Sequence, residues 1–555
     1  MQQSEIRAIS VAIIGGGPVG MLLALFLDRL GVKSVLFNTD VTTRWHPRGS
    51  TQGLRTMEHY RRLGIADQVR ERGLPPDHPT DVVYLTRFAG IELARLPMPS
   101  ANDAIAQRKH AGKLDQHPEP VHRGNQMQVE RFVFEHLHTR PNITLRFGWQ
   151  MESYEQDDTG VTLTARSQSG EAETWRAKYL VGCDGGRSDV RKALGISFRG
   201  EAGMEQRHFG GRWFSSYIRA PELYEKYLGH RKAWQYWAVN PEIRSTMIAV
   251  DGREEFLFRT QATTPDGPPD DKVVADHFRR CTGAEIGVEI IGHAPWNAGV
   301  ALVAEKFSDR RVMLAGDAVH LFTPTGGFGM NTGIDDSANL AWKLAAMVQG
   351  WGGVELLASY EHERMPIALR NTEAARQLAA NINATDIGAE IEQASPAGET
   401  ARKAAGAMLS KFKNQFTSIG VQLGVRYDGS PIVAPDGAPH GDNFASYEPS
   451  GVPGGRAPHA WLDRDHAAGG SLYDRLGRGF TLLRLGSKPP AAEALAAAAI
   501  RAKIPLTVLD ITDGDIRDLY ERDLVLVRPD QHVAWRGNDI PSDCGALLRR
   551  LVGGA

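Results

Sequence analysis

Three cysteines, Cys183, Cys281 and Cys544, are all that the 555 residues contain, and no two of them form a C-x-x-C pair. That spacing argues against a zinc site, a dithiol redox pair and a disulfide framework, and it predicts a reducing, cytoplasmic setting with no metal centre. Charge of one sign is also missing. The 64 Lys and Arg against 66 Asp and Glu leave a formal net charge of -2, which offers nothing to a nucleic acid or an anionic membrane surface. Long hydrophobic runs are absent as well. The most apolar stretch, "MLLALFL", is cut by Asp28 and is too short to span a bilayer. The N-terminus runs directly into a strand-like segment and lacks the basic and apolar regions of a signal peptide. No G-x-S-x-G, P-loop or H-E-x-x-H motif is present, which counts against hydrolases and metalloenzymes.

What is present is a chain with 42% hydrophobic and 23% charged residues, ordinary for a globular enzyme and long enough for two or three domains. "SVAII" (10–14) is an apolar, β-branched run and predicts a buried parallel strand. Gly15, Gly17 and Gly20 follow, then a helical pattern over 18–30 that Gly31 stops, then the short strand "SVLF". Between 75 and 122 the pattern weakens, with loop-like Pro-rich segments. "QMQVERFVFEHLH" (126–138) predicts a helix, and the alternation around "DDTG" predicts a hairpin. Residues 205–262 alternate and are rich in aromatics, which predicts a second, antiparallel sheet. Helices are expected up to about 425. A Pro- and Gly-dense linker (426–455) and a compact C-terminal α/β domain (456–555) complete the chain.

The chemistry concentrates at three strand ends. In "VAIIGGGPVG", Gly15 allows a tight turn, Gly17 lets backbone approach a pyrophosphate, and Gly20 lets helix pack on strand. "YLVGCDGGRSDVR" places Asp184 just past a second buried strand, and "RVMLAGDAVH" places Gly316 and Asp317 past a third. Either carboxylate alone could be a helix cap, but three such motifs in this order suit the ligand edge of an open α/β sheet.

These segments, with the long "LAGDAVHLFTPTGGFGMNTGIDDSANLAWKLA", resemble the class A FAD-dependent aromatic hydroxylases: phenol, 3-(3-hydroxyphenyl)propionate and nitrocatechol monooxygenases and polyketide hydroxylases. The resemblance covers roughly 8–425. It implies an α/β fold in which a Rossmann-like FAD-binding domain of the glutathione-reductase type (1–74, 123–190 and 300–425) is interleaved with an α+β substrate domain having a mostly antiparallel sheet (75–122 and 191–299). The C-terminal part resembles the thioredoxin-like appendage of the phenol hydroxylase branch, here without its C-x-x-C. It further implies that Gly15, Gly17, Gly20, Asn38, Arg48, Gln126, Asp184, Arg187, Gly316, Asp317, Pro324, Gly327, Gly329, Met330 and Asn331 serve FAD. His320 is expected to brace its loop rather than act as a base.

The implied reaction is hydroxylation of a phenolic or other electron-rich aromatic through a flavin C4a-hydroperoxide, with NADPH or NADH and O2 as co-substrates. A small aromatic from catabolism is expected, with a polyketide-tailoring role as the alternative. Less favoured readings are a flavin oxidase or dehydrogenase, and a binding protein that has lost its cofactor. Trp213, Tyr236, Trp296 and Pro324 are expected to meet the substrate, and His208 and Tyr217 are the candidates for proton transfer. A homodimer is left open. One departure stands out: the tip of the second strand carries Asn38 where a dinucleotide fold places an acid for the ribose. An amide oxygen can still accept from a hydroxyl. Read this way, Asn38→Glu should tighten FAD binding.

Overall fold

The computed structural model describes residues 6–201, 213–261, 268–296, 300–382, 387–439, 441–463 and 469–554. Its first core is an eight-stranded sheet. Strand Ile6–Ile14 lies between two parallel neighbours, Ser34–Asn38 and Ala172–Gly182. Ile143–Phe147 and Val312–Leu314 extend the parallel set on either side. The "SVAII" run sits at the centre because both faces are covered: Val11, Ala12 and Ile13 are fully buried. Helix Pro18–Arg29 packs on one face with the long helix Phe328–Gln349. The hairpin Trp149–Gln156 and Val161–Ser167 turns at the "DDTG" segment and joins the sheet through Ala172–Gly182.

The second sheet has seven strands and is mostly antiparallel. Its centre comes from the aromatic-rich region: Trp213–Arg219, Gln235–Val239, Arg244–Ala249 and Glu255–Gln261. Glu289–Trp296 flanks one side. The other side is closed by Val82–Leu85 and Glu92–Leu96, drawn from the stretch whose pattern looked loop-like. The Pro-rich ends of that stretch masked two short strands. Once Val82–Leu85 pairs with Gln235–Val239, all four of its residues are buried.

The C-terminal unit is a four-stranded sheet. Phe480–Leu485 pairs in parallel with Leu506–Ile511 and antiparallel with Leu524–Val527, which pairs antiparallel with Val533–Gly537. The stretch 426–455 lacks long elements, as its composition predicts, yet it is no loose tether. Tyr427, Ile432 and Val433 are buried, and Ala434 N–H donates to Ala534 O (2.9 Å).

Buried polar and charged contacts lock this unit to helices Leu54–Leu63, Phe328–Gln349 and Ala358–Ile382. Arg528 donates from both Nη atoms to Glu363 (2.6 and 2.8 Å) and also pairs with Asp530 (2.6 Å). Asp530 accepts from the Trp342 indole (3.1 Å), and its backbone oxygen accepts from Arg55 (2.7 Å). Arg456 pairs with Glu58. These Arg contacts hold the Glu58 and Glu363 carboxyls down at about 2 against the opposing effect of burial.

Candidate functional site

The glycine turn is built as its spacing requires. Gly15 has φ of +110°, and a Cβ there would collide with the carbonyl of Cys183. A Cβ on Gly20 would run into the Gly15 carbonyl, so only glycine lets this helix sit so close. Gly17 caps Pro18–Arg29 with no side chain bonded to the helix N–H groups, and the space where its Cβ would stand is open. The turn therefore presents the positive end of a helix, with its first N–H groups uncapped by any side chain, to open space, the arrangement that suits a pyrophosphate.

Asn38 is part of the turn. Its Oδ1 accepts from Gly16 N–H (3.0 Å), and its Nδ2 donates to the Asp40 carbonyl (3.0 Å). The amide is engaged by backbone at both ends, so its first role is to brace the loop. The expected ribose contact then falls to the second lone pair of Oδ1, which Gly16 N–H leaves unfilled.

A cavity of about 570 Å³ opens between the two sheets. Arg48, Gln126, Asp317, Pro324, Gly327, Gly329, Met330 and Asn331 line it together. Asp317 is exposed at the cavity, but the protein crowded around it desolvates its carboxyl and raises it above the usual range; His320, Arg48 and Arg44 oppose that. The Gln126 side-chain nitrogen donates to the buried Glu130. Helix Phe328–Gln349 starts at Gly327 without a side-chain cap, so a second set of free helix N–H groups opens at the cavity. Asn331 borders it with a saturated side chain. Its Oδ1 accepts from Gly53 N–H (2.8 Å) and the Thr56 hydroxyl (2.6 Å), and its Nδ2 donates to Gly327 O (2.7 Å) and Thr51 O (3.1 Å). Asn331 therefore ties the helix start to 51–56; its amide is not left for a cofactor.

Other expected residues lie outside this cavity. Asp184 caps the short helix Asp189–Ala193, its Oδ2 accepting from Asp189 N–H (2.8 Å) and Val190 N–H (3.2 Å). Its Oδ1 is buried with no hydrogen-bond partner, and burial raises the carboxyl. Arg187 is exposed on the turn before that helix. Gly316 is buried, its N–H donating to Asp336 (3.1 Å).

The substrate-side expectations need correction. In strand Gln235–Val239, alternation turns Gln235 and Trp237 to the cavity and Tyr236 away. The Tyr236 hydroxyl accepts from Ala233 N–H (2.6 Å) inside the core. Trp213 is buried and does not line the cavity, whereas Trp234 does. Trp296 ends a strand whose Ala294 and Pro295 line the cavity; its side chain lies outside the described part of the structure. Tyr217 lies behind His46, its ring 6.3 Å from that imidazole, with its hydroxyl donating to Glu255. Burial and Glu255 raise it above the usual phenol range, and it does not line the cavity. His208 lies outside the described residues. His46 does line the cavity; its ring nitrogens stand 2.9 Å from Pro47 O and 3.1 Å from Ser215 O.

The loop between Gly316 and Asn331 is clamped from behind. Asp336 Oδ2 accepts from Gly316 N–H and from His320 Nε2 (2.7 Å), and Asp336 Oδ1 accepts from Arg364 (2.7 Å). Arg364 also donates to Asp335 (2.6 Å), which meets His59 (2.9 Å). His320 braces its loop as expected; its partners Asp336 and Arg364, and the cavity residues Thr51, Arg123 and Arg259, escaped the sequence reading. "VHRGNQ" put Arg123 three residues before Gln126, and that proximity was the available signal.

The chain matches the FAD binding domain family over residues 8–375 and the aromatic-ring hydroxylase C-terminal family over 450–555. A putative polyketide hydroxylase of Streptomyces halstedii is 32% identical over 97% of this chain and 95% of its own. The 2,4-dichlorophenol 6-monooxygenase of Delftia acidovorans is 30% identical over 99% of this chain and 98% of its own. Among solved structures, the rebeccamycin biosynthetic enzyme RebC with reduced flavin superposes with a TM-score of 0.88 at 35% identity, covering 99% of this chain and all of that one.

Proposed function

The chain belongs to the FAD-dependent aromatic-ring hydroxylases, and from that premise we propose that the cavity between its two sheets is where an aromatic ring is oxygenated. The observation that carries the reading is the junction itself: an uncapped long helix, Arg48 and Asp317 on one side, and a wall of Gln235, Trp237, Ile248 and Leu257 on the other.

The residues present fit FAD. Gly15, Gly17 and Gly20 would hold the pyrophosphate on helix N–H groups, Arg48 would add a fork of donors, and Asp317 would accept from ribityl hydroxyls. When bound, FAD supplies the acceptance of electrons from NADPH or NADH and the activation of O2 that oxygen transfer needs. The protein's own part is positional. The clamp at Asp336 fixes the Gly-rich loop, the start of helix Phe328–Gln349 puts positive potential at the cavity, and the apolar wall keeps water from the reacting ring.

Two features favour a substrate of more than one ring. A second cavity of about 400 Å³ shares the wall formed by Val121, Arg123, Phe416 and Gln422, and polyketide hydroxylases stand among the relatives. A single-ring phenol remains the competing reading, and the dichlorophenol monooxygenase speaks for it. The strand order and flanking helices of the C-terminal unit support a thioredoxin-like fold without thiol chemistry, its Cys544 being buried and free. The test is substrate-stimulated NAD(P)H oxidation with catalase present, across single- and multi-ring phenols. Stimulation coupled to a hydroxylated product supports the reading, and its absence across the panel overturns it.

A further inference from the structure

Several buried arginines of the core sit against carboxylates: Arg364 on Asp335 and Asp336, Arg528 on Glu363, Arg456 on Glu58. Arg123 does not. It is 8% exposed, and burial alone lowers its guanidinium to about 9, with no acidic neighbour opposing. Its partners are neutral. Nη1 donates to the Thr51 hydroxyl (2.5 Å), Nη2 approaches the Met98 sulfur (3.4 Å), and the guanidinium lies 3.9 Å from the centre of the Trp234 ring. Stacking on Trp234 offsets part of the cost of a buried cation. The charge itself is left without a counter-ion among the described residues. Removing a cation from water without one is expensive.

Its place explains what could supply that counter-ion. Arg123 stands in the wall shared by the site cavity and the second cavity, with N–H donors uncommitted. Trp237 and Arg259 line the same site cavity, so an aromatic ring there would have stacking and cationic groups around it.

We infer that Arg123 receives an anionic oxygen of the aromatic substrate, either a ring carboxylate or an ionised ring hydroxyl. A guanidinium fork takes either as a charge-assisted acceptor. This rests on the aromatic-hydroxylase reading and narrows its substrate to rings that carry an acidic group.

The test uses FAD-loaded protein and calorimetric titration with matched probes. One series compares hydroxybenzoates and hydroxynaphthoates with their methyl esters; the other compares nitrophenols with nitroanisoles. The expected result is that the anionic member of one series binds about 10- to 100-fold more tightly than its neutral partner, the first series marking a carboxylate and the second a ring hydroxyl. Arg123→Gln should abolish that ratio and leave the neutral member's affinity and the flavin absorbance unchanged, while Arg123→Lys keeps part of the ratio. A panel in which no anion outbinds its partner overturns the inference. So does a Gln variant that loses both members alike, or one that loses flavin, which would assign Arg123 to the cofactor. An intact anion preference without any substrate-linked NAD(P)H oxidation would instead overturn the hydroxylase reading and leave Arg123's role standing.

Discussion

Asn38 shows how a single residue can look like a broken motif and be something else. Its amide accepts from Gly16 N–H and donates to Asp40 O, so it shapes the glycine turn proposed to cradle the phosphates. A carboxylate could keep the first bond but has no hydrogen for the second. Asn38→Glu should therefore leave FAD affinity within about threefold of the native protein, because one neutral hydrogen bond contributes about 1 kcal/mol and a new ribose contact only replaces it. Titration of apoprotein by flavin fluorescence checks this; a tenfold gain would restore the simpler reading of a missing acid. Gly20→Ala is the sharper change. Its methyl has nowhere to go but the Gly15 carbonyl, and overpacking of this kind costs about 1–3 kcal/mol. Lower thermal stability together with weaker FAD retention is expected, and an unaffected protein would show that helix and turn can part. The glycines were legible because each answers a local steric demand. Tyr217 and Tyr236 were not, because the sequence shows that side chains alternate and not which parity faces the cavity.

At the scale of elements, helices Phe328–Gln349 and Ala358–Ile382 carry the feature that composition hides best. Their apolar positions predict helices well, but no local pattern marks Asp335, Asp336, Lys343, Glu363 and Arg364 as buried, which they are. Only tertiary packing sets them against one another and against His59 and His320. The arrangement has a pH signature. Burial is the main effect lowering His59, to about 4, so the folded state resists its protonation. The stabilisation is present above the unfolded histidine value near 6.5 and is lost as pH falls from there toward 4. Glu58 and Glu363 are depressed to about 2, so their contribution is present above about 4.5 and is lost as pH falls toward 2. Denaturant midpoints should fall in those two stages on acidification and change little with salt, since the pairs are shielded from ions. A midpoint flat from pH 7 to pH 4 would contradict this.

Over the whole molecule, the C-terminal unit is a structural partner of the flavin half. Arg528, Asp530 and Arg456 reach into the charged core beside the long helix, and the stretch 426–455 packs rather than swings. Arg528→Ala leaves Glu363 short of its main partner, and breaking such a buried pair costs about 3–5 kcal/mol. Urea unfolding should register that loss, and an unchanged midpoint would show the contact to be incidental. The order of strand-end motifs made the flavin half readable from sequence, but the docking of the C-terminal unit depends on residues about 165 positions apart in the Arg528–Glu363 pair, beyond any local pattern. The central claim is that this cavity transfers an oxygen atom from O2 to an aromatic ring. The most direct measurement is the product's mass after turnover under 18O2 with NAD(P)H and a phenolic substrate. The account predicts a ring hydroxyl carrying one 18O atom; reductant consumed with all the oxygen recovered as peroxide and no labelled product, for every substrate tried, would contradict it.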